Sequence, residues 1–261
     1  MLRWIMLLLL PSSLLAAPLR INFPVNDRHN DAFFQQLALN ALMADGQTLQ
    51  VRNVPIPRHK RVYLLLEKGD IDVYWMLATP ERDKQFIRVN IPLTNGLIGQ
   101  RVLLIPPGTE GRFAHIRTLE QLQRSGLTAG LGSGWRDVAI WKYNQLPVYV
   151  HEGEWSDLFT LLASRSRGVD YFPRGAFEVL DEVVAHPTLT IEPNVLLTYP
   201  QDFYFYVNPK RPELAQALQR ALAKAMKDGS HARLYQQFFG QVAQKLQLAE
   251  RTRIPLGLPP D

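Results

Sequence analysis

Leu65-Leu66-Glu67-Lys68-Gly69-Asp70-Ile71-Asp72-Val73-Tyr74-Trp75 joins the end of a helix to a strand. Arg58 to Glu67 places Val62, Leu65 and Leu66 on one side, the spacing of a helix face. Gly69 follows where a left-handed residue can close the last turn. Ile71 to Trp75 then reads as a strand. Upstream, Leu19 to Phe23 alternates and stops at Pro24, which predicts another strand. Asp31 to Ala44 carries Phe34, Leu37, Ala38 and Leu42 at helical spacing and ends at Asp45-Gly46. Leu49 to Val54 is a further strand. The β-α-β-α-β order predicts an α/β fold with a largely parallel sheet.

The rhythm resumes downstream. Leu119–Arg124, Trp135–Tyr143, Trp155–Ala163 and Gly175–Val184 read as helices, and Leu127–Leu131, Val148–Val150 and Val169–Phe172 as strands. Two apolar runs beside prolines look like connections between halves: Gln100–Ile105 before Pro106-Pro107-Gly108, and Val195–Thr198 leading through Tyr199-Pro200 into Phe203–Val207. Near the C-terminus, Pro212 suits the first turn of a helix, with Leu214, Leu218, Ala221, Leu222 and Ala225 on one face and Gly229 at its end. Leu234 and Phe238 mark a second helix, with Gly240 as its predicted stop.

Composition narrows the function. Of 261 residues, 46% are hydrophobic, which excludes a mainly disordered chain and a multi-span membrane protein. Lys and Arg number 29 against 24 Asp and Glu, and the net +5 is scattered, so no nucleic-acid arm is expected. Cysteine is absent, which removes disulfides, Cys-ligated metals and thiol catalysis. His29, His59, His115, His151, His186 and His231 form no metal-binding pattern, and no nucleophile–base arrangement is readable. Neither a cofactor nor a metal is expected, and enzymatic activity is not predicted.

Residues 1–16 have the layout of a cleavable signal peptide: Arg3 near the start, an apolar run from Trp4 to Leu15, then Ala16 and Ala17. A buried N-terminal helix is the plainer alternative. Without a Cys at the cleavage point the exported chain cannot be lipid-anchored, so the periplasm of a double-membrane bacterium is the expected location.

Several short motifs occur in a suggestive order: Leu66–Val73, Thr79-Pro80-Glu81-Arg82, Gly130-Leu131-Gly132-Ser133-Gly134, Arg167–Phe172 and Phe238-Phe239-Gly240. Together they resemble the bacterial extracellular solute-binding proteins of family 3, which have the type II periplasmic binding fold. That resemblance implies two α/β lobes, each a mixed sheet flanked by helices, joined by two crossing strands. The first lobe would comprise residues 17–103 plus 203–261 and the second 104–202. A small polar ligand would lie between them, presented by a monomeric protein to an inner-membrane ABC permease. A sensory or scaffolding role beside a membrane partner is the alternative.

The resemblance implies that Arg82 of the Thr79–Arg82 motif meets a ligand carboxylate through its planar fork of donors. The plainer reading is a surface pair with Glu81 or Asp83. Ser133, Gly134 and Trp135 follow a strand and open a helix, where free N–H groups attract anions. Ser133 could instead simply cap that helix. Arg174 stands near the place where amino-acid-binding relatives carry a carboxylate, and Trp75–Ala78 lacks the hydroxyls that help hold an amino group. Arg82 and Arg174 facing one cleft would favour an anionic ligand. Arg174 could otherwise pair with Glu178 one turn along a shared helix. Trp75 and Tyr171, followed by Trp135, Trp155 and Phe172, could wall the cleft or serve as core.

Overall fold

The computed structural model describes the backbone of residues 17–25, 29–56 and 62–260, and their side chains apart from 29–31. The expected signal peptide lies outside the described residues. Along the first part of the chain run β1 (Leu19–Val25), α1 (His29–Ala44), β2 (Leu49–Pro55), α2 (Val62–Lys68), β3 (Val73–Leu77), α3 (Pro80–Gln85) and β4 (Ile87–Arg88). The middle holds β5 (Gln100–Ile105), α4 (Leu119–Arg124), β6 (Ala129–Gly132), α5 (Arg136–Tyr143), β7 (Val148–His151), α6 (Asp157–Ala163), β8 (Phe172–Gly175), α7 (Val179–Ala185), β9 (Thr190–Ile191) and β10 (Val195–Thr198). The last part returns through β11 (Phe203–Val207), α8 (Pro212–Asp228) and α9 (Ser230–Lys245), and ends with β12 (Thr252–Pro255).

Two groups of strands result. In the first, β1 and β2 are parallel, while β3, β11 and β4 form an antiparallel set because β11 enters from the far side. Asp72 links them: its N–H donates to the Asn22 carbonyl (2.9 Å) and its carboxylate accepts from the Asn22 N–H (2.6 Å). In the second, β6 and β7 are parallel, Ala129 bridges Tyr171, and the order β8-β5-β10-β12 continues with β9 also on β5. Both groups are therefore mixed rather than largely parallel. Residues alternate across β5: Val102 and Leu104 face the larger apolar cluster, Leu103 and Ile105 the smaller.

The C-terminal segment departs from the predicted lobe boundaries. β12 joins β10, so 252–255 pack with the second group rather than the first. β5 also belongs wholly to the second group. Gly240 does not stop α9; the helix runs on because Val242 and Leu246 still have apolar partners, which outweighs the roughly 1 kcal/mol cost of an internal glycine. Gly229 does close α8, in the left-handed region at φ 77°.

The two crossings are bonded to each other. Asp202 accepts from the Thr94 N–H (2.8 Å), the Thr94 hydroxyl (2.7 Å) and the Gly96 N–H (2.6 Å). The backbones approach so closely at Gly99 that a Cβ there would lie 2.0 Å from the Tyr199 carbonyl oxygen. Arg101 donates to Asp137 at 2.9 Å, and the Tyr199 hydroxyl donates to the same oxygen at 2.7 Å. Burial opposes the Asp137 charge, yet Arg101 and Tyr199 hold its carboxyl below the ordinary range.

His231 on α9 is buried and donates from Nε2 to the Leu93 carbonyl at 2.9 Å. Burial pushes its pKa below the ordinary histidine value, against the opposing pull of the Leu93 bond and Asp202. The native state therefore prefers neutral His231, while the unfolded chain protonates near pH 6.5. Stability is complete above that pH and declines as pH falls from it towards the lower folded value. Thermal midpoints measured across this window should fall, and His231→Gln should flatten that part of the curve. An unchanged slope in the variant would assign the effect to other groups.

Candidate functional site

A cavity of about 330 Å³ opens beside the C-terminal end of β3. The sequence builds this end simply. β3 delivers Trp75, Met76 and Leu77, Thr79 ends the extended run, and Pro80 starts α3 with its φ already suited to a helix. The Thr79 hydroxyl caps α3 by accepting from the Arg82 N–H at 3.3 Å. One turn of helix then returns the Arg82 side chain towards the strand end.

Arg82 lines the cavity and its guanidinium is fixed from behind. One amino group donates to the Leu77 carbonyl (2.5 Å) and the other to the Tyr63 hydroxyl, with the Tyr63 ring 5.4 Å beneath the cation. Two of the five N–H donors are thus used among the described residues. Neither Glu81 nor Asp83 takes Arg82; Asp83 binds Arg88 at 3.0 Å and accepts from the Tyr206 hydroxyl at 2.7 Å.

Aromatic rings form the adjoining wall. Trp75 stacks on Phe34 with centroids 4.7 Å apart and planes 13° from parallel, and Phe203 meets Phe34 edge-on at 5.6 Å. Thr94, Leu97 and Ile98 enter from the first crossing, and Phe177 and Glu178 from the loop after β8. Both halves of the molecule therefore contribute to one site. Arg82 and Glu178 are its two charged lining residues among those described.

Arg174 is a correction. It lies on β8 rather than on a helix with Glu178, because pairing with β5 extends the chain through Gly175. It is buried and absent from the cavity lining. Its Nε donates to both Glu182 oxygens, at 2.9 and 2.8 Å, and one amino group reaches Glu182 and, at 3.3 Å, Glu178. The rings of Trp135, Trp155 and Phe172 surround it at 5.0–5.3 Å. Two carboxylates already pair with this cation, and it lies off the lining of the cavity that Arg82 faces. Trp135, Trp155 and Phe172 belong to its enclosure instead of the cavity wall.

Tyr171 is also corrected. It is fully buried, its hydroxyl accepts from the Trp141 indole N–H at 3.0 Å, and its ring packs edge-on against Phe113. Ser133 and Gly134 are exposed at the β6–α5 turn and do not line the cavity. The Ser133 side chain caps nothing: Gly134 turns at φ 76° and the helix begins only after Trp135. Residues missed from the sequence are Tyr63, Phe34, Phe203, Thr94 and Glu178. Phe34 had the spacing of ordinary core, and Glu178 was legible only as a partner for Arg174. No three metal-ligating side chains converge among the described residues.

No curated protein matches the sequence. Among solved structures, the Bacillus subtilis protein YckB aligns with TM-score 0.55 at 14% identity, covering 91% of this chain and 96% of its own. An ancestral arginine-binding protein bound to glutamine aligns with TM-score 0.51 at 22% identity, over 80% of this chain and 87% of that one. The amino acid ABC transporter substrate-binding protein AbpA from Streptococcus pneumoniae, bound to L-arginine, aligns with TM-score 0.51 at 17% identity, over 80% and 84%. These likenesses establish the two-lobe type II fold. The model of the bacterial extracellular solute-binding proteins, family 3, matches residues 37–241. That match spans most of the sequence, and the chain belongs to the bacterial extracellular solute-binding proteins of family 3.

Proposed function

We propose that this protein captures a small carboxylate-bearing solute in the cavity beside β3 and presents it to an ABC-type permease of the inner membrane. The observation that carries the reading is Arg82: a cation at the wall of an aromatic cavity, braced by the Leu77 carbonyl and Tyr63. Bracing lowers the ordering cost of binding, and apolar walls strengthen a charge pair by excluding water. Glu178 on the lining also accepts from Arg174 at 3.3 Å, so a ligand with a positive end, an amino-acid-like zwitterion, fits the site as well as a simple carboxylate does. The bound glutamine and arginine of two fold relatives belong to that chemical class.

The proposed cycle is conformational. The first lobe holds the ligand through Arg82, Trp75 and the Thr79-capped turn. Closure about the two crossings then brings the exposed Ser133-Gly134 turn of the second lobe towards it. The residue types at the cavity supply binding rather than chemistry, with the Thr94 hydroxyl already committed to Asp202. The setting is the periplasm, reached through a signal peptide at residues 1–16, and the protein acts as a monomer. No helix among the described residues is long and apolar enough to cross a membrane. Mass spectrometry of small molecules co-purified from the periplasm tests the ligand class. A carboxylate-bearing compound is expected; saturation by one without a carboxylate would reject the reading.

A further inference from the structure

The chain crosses between the lobes a third time, after the last residue of the family match at 241. α9 packs against α1 and α8 in the first lobe, and the Leu246 and Leu248 N–H groups that follow it donate to its Val242 and Ala243 carbonyls, each at 3.0 Å. A few residues later, Ile254 and Leu256 are buried in the smaller cluster, whose other members lie in the second lobe and in the crossing strands feeding it. Between them β12 lies parallel to β10, with the Thr252 N–H donating to the Asn194 carbonyl and the Leu256 N–H to the Thr198 carbonyl, each at 2.7 Å.

Both ends of this segment are fastened. Arg251 is buried at the crossing point. Its Nε donates to the Leu246 carbonyl at the end of α9 (2.7 Å), and one amino group donates to the Glu192 and Val195 carbonyls of the second lobe. At the far end Asn144, just past α5, bonds Gly257 in both directions: its Nδ2 donates to the Gly257 carbonyl and its Oδ1 accepts from the Gly257 N–H, each at 2.8 Å. β10, the partner of β12, itself leads into the second crossing.

We infer that residues 246–258 form a strap that limits how far the two lobes open. Two adjacent crossings act as a hinge and leave rotation about it nearly free. A third connection at the sheet edge, bonded to a separate helix of the second lobe, removes part of that freedom. Opening must stretch the segment between Leu248 and Thr252 or peel β12 from β10, and either costs buried contacts. The strap thereby keeps the unliganded protein nearer its closed shape, which reduces the entropy lost when a ligand closes it.

The absence of native cysteine permits a direct test. Glu120→Cys on α4 and Lys227→Cys on α8 place one spin label on each lobe of the full chain. Pulsed dipolar spectroscopy then reads the inter-lobe distance distribution without ligand. Thr252→Pro deletes one β12 donor, and Asn144→Ala deletes both bonds to Gly257; each is made in the labelled chain, and they are also combined. Hydrogen exchange at the Ile254 and Leu256 amides identifies the variant in which the strap has detached. The expected result is an added population at longer distance in that variant and a smaller shift of the same sign in Asn144→Ala alone. A distance distribution identical to the parent, in a folded variant whose Ile254 and Leu256 amides have lost protection, overturns the inference. So does retained protection in the double variant, because the assigned bonds would then not be what holds the strap.

Discussion

Arg174→Ala lowers the unfolding free energy by about 3–5 kcal/mol, the range for removing one partner of a buried ion pair. Arg174 is only 8% exposed, and its chief partner Glu182 has a side chain 15% exposed, so little solvent is available to replace the lost cation. Truncation also leaves Trp135, Trp155 and Phe172 facing a void where a flat cation had stacked on them. Glu178, with a side chain 43% exposed, contributes little because water can solvate it. The measurement is the denaturant midpoint at unchanged slope. Arg174→Lys should fall between parent and alanine, since an ammonium keeps the charge but neither the fork nor the stack. Arg174→Met combined with Glu182→Met should recover most of the loss, because an apolar pair leaves no orphaned charge. A single-variant loss under about 1 kcal/mol would show a pair as weak as one on the surface. The same variants bear on the ligand site only through Glu178, whose position on the cavity wall Arg174 helps to set.

The contrast between Arg174 and Arg82 shows what the sequence discloses and what it withholds. Elements decided by near neighbours are legible. α4 runs over Leu119–Arg124, as its apolar spacing indicates, with Thr118 capping it by accepting from the Gln121 N–H at 3.2 Å. The turn bearing Arg82 is legible for the same reason: Thr79 and Pro80 mark a helix start directly after a strand. Elements decided by distant partners are not. Gly175-Ala176-Phe177 has the apolar content of a helix start, yet β5, far away in sequence, holds Arg174 and Gly175 extended. Thr252-Arg253-Ile254-Pro255 carries one central apolar residue and shows no strand pattern of its own; it becomes β12 because β10 presents an edge. The cavity suffers most from this limit. Phe34, Tyr63, Thr94, Glu178 and Phe203 come from five separate elements or loops, and only folding brings them together. An arginine beside an acid on the sheet's inner face has no local signature that separates a cleft from an aromatic box.

Arg82→Ala weakens binding of the co-purified ligand by about 2–5 kcal/mol, the cost of truncating one member of a desolvated charge pair. That corresponds to a rise of about 30-fold or more in Kd by titration calorimetry. The fold should survive the change. Arg82 is half-exposed, the Thr79 cap uses its backbone N–H rather than its side chain, and only the bonds to Leu77 and Tyr63 are lost. Unfolding midpoints without ligand therefore stay close to the parent, which separates a binding defect from a folding one. Arg82→Lys should lose less than alanine but more than a pure charge argument allows, since a single ammonium cannot meet two carboxylate oxygens at once. Tyr63→Phe removes a hydroxyl that accepts from the guanidinium but keeps the ring beneath it. A small loss there with a large one in Arg82→Ala identifies Tyr63 as a brace. Comparable losses in both would mean that the Tyr63 hydroxyl touches the ligand itself. Unchanged affinity in Arg82→Ala removes the arginine from the ligand's grasp and leaves Glu178 and the aromatic wall as the recognition surface, with a cationic or apolar solute as the molecule to seek.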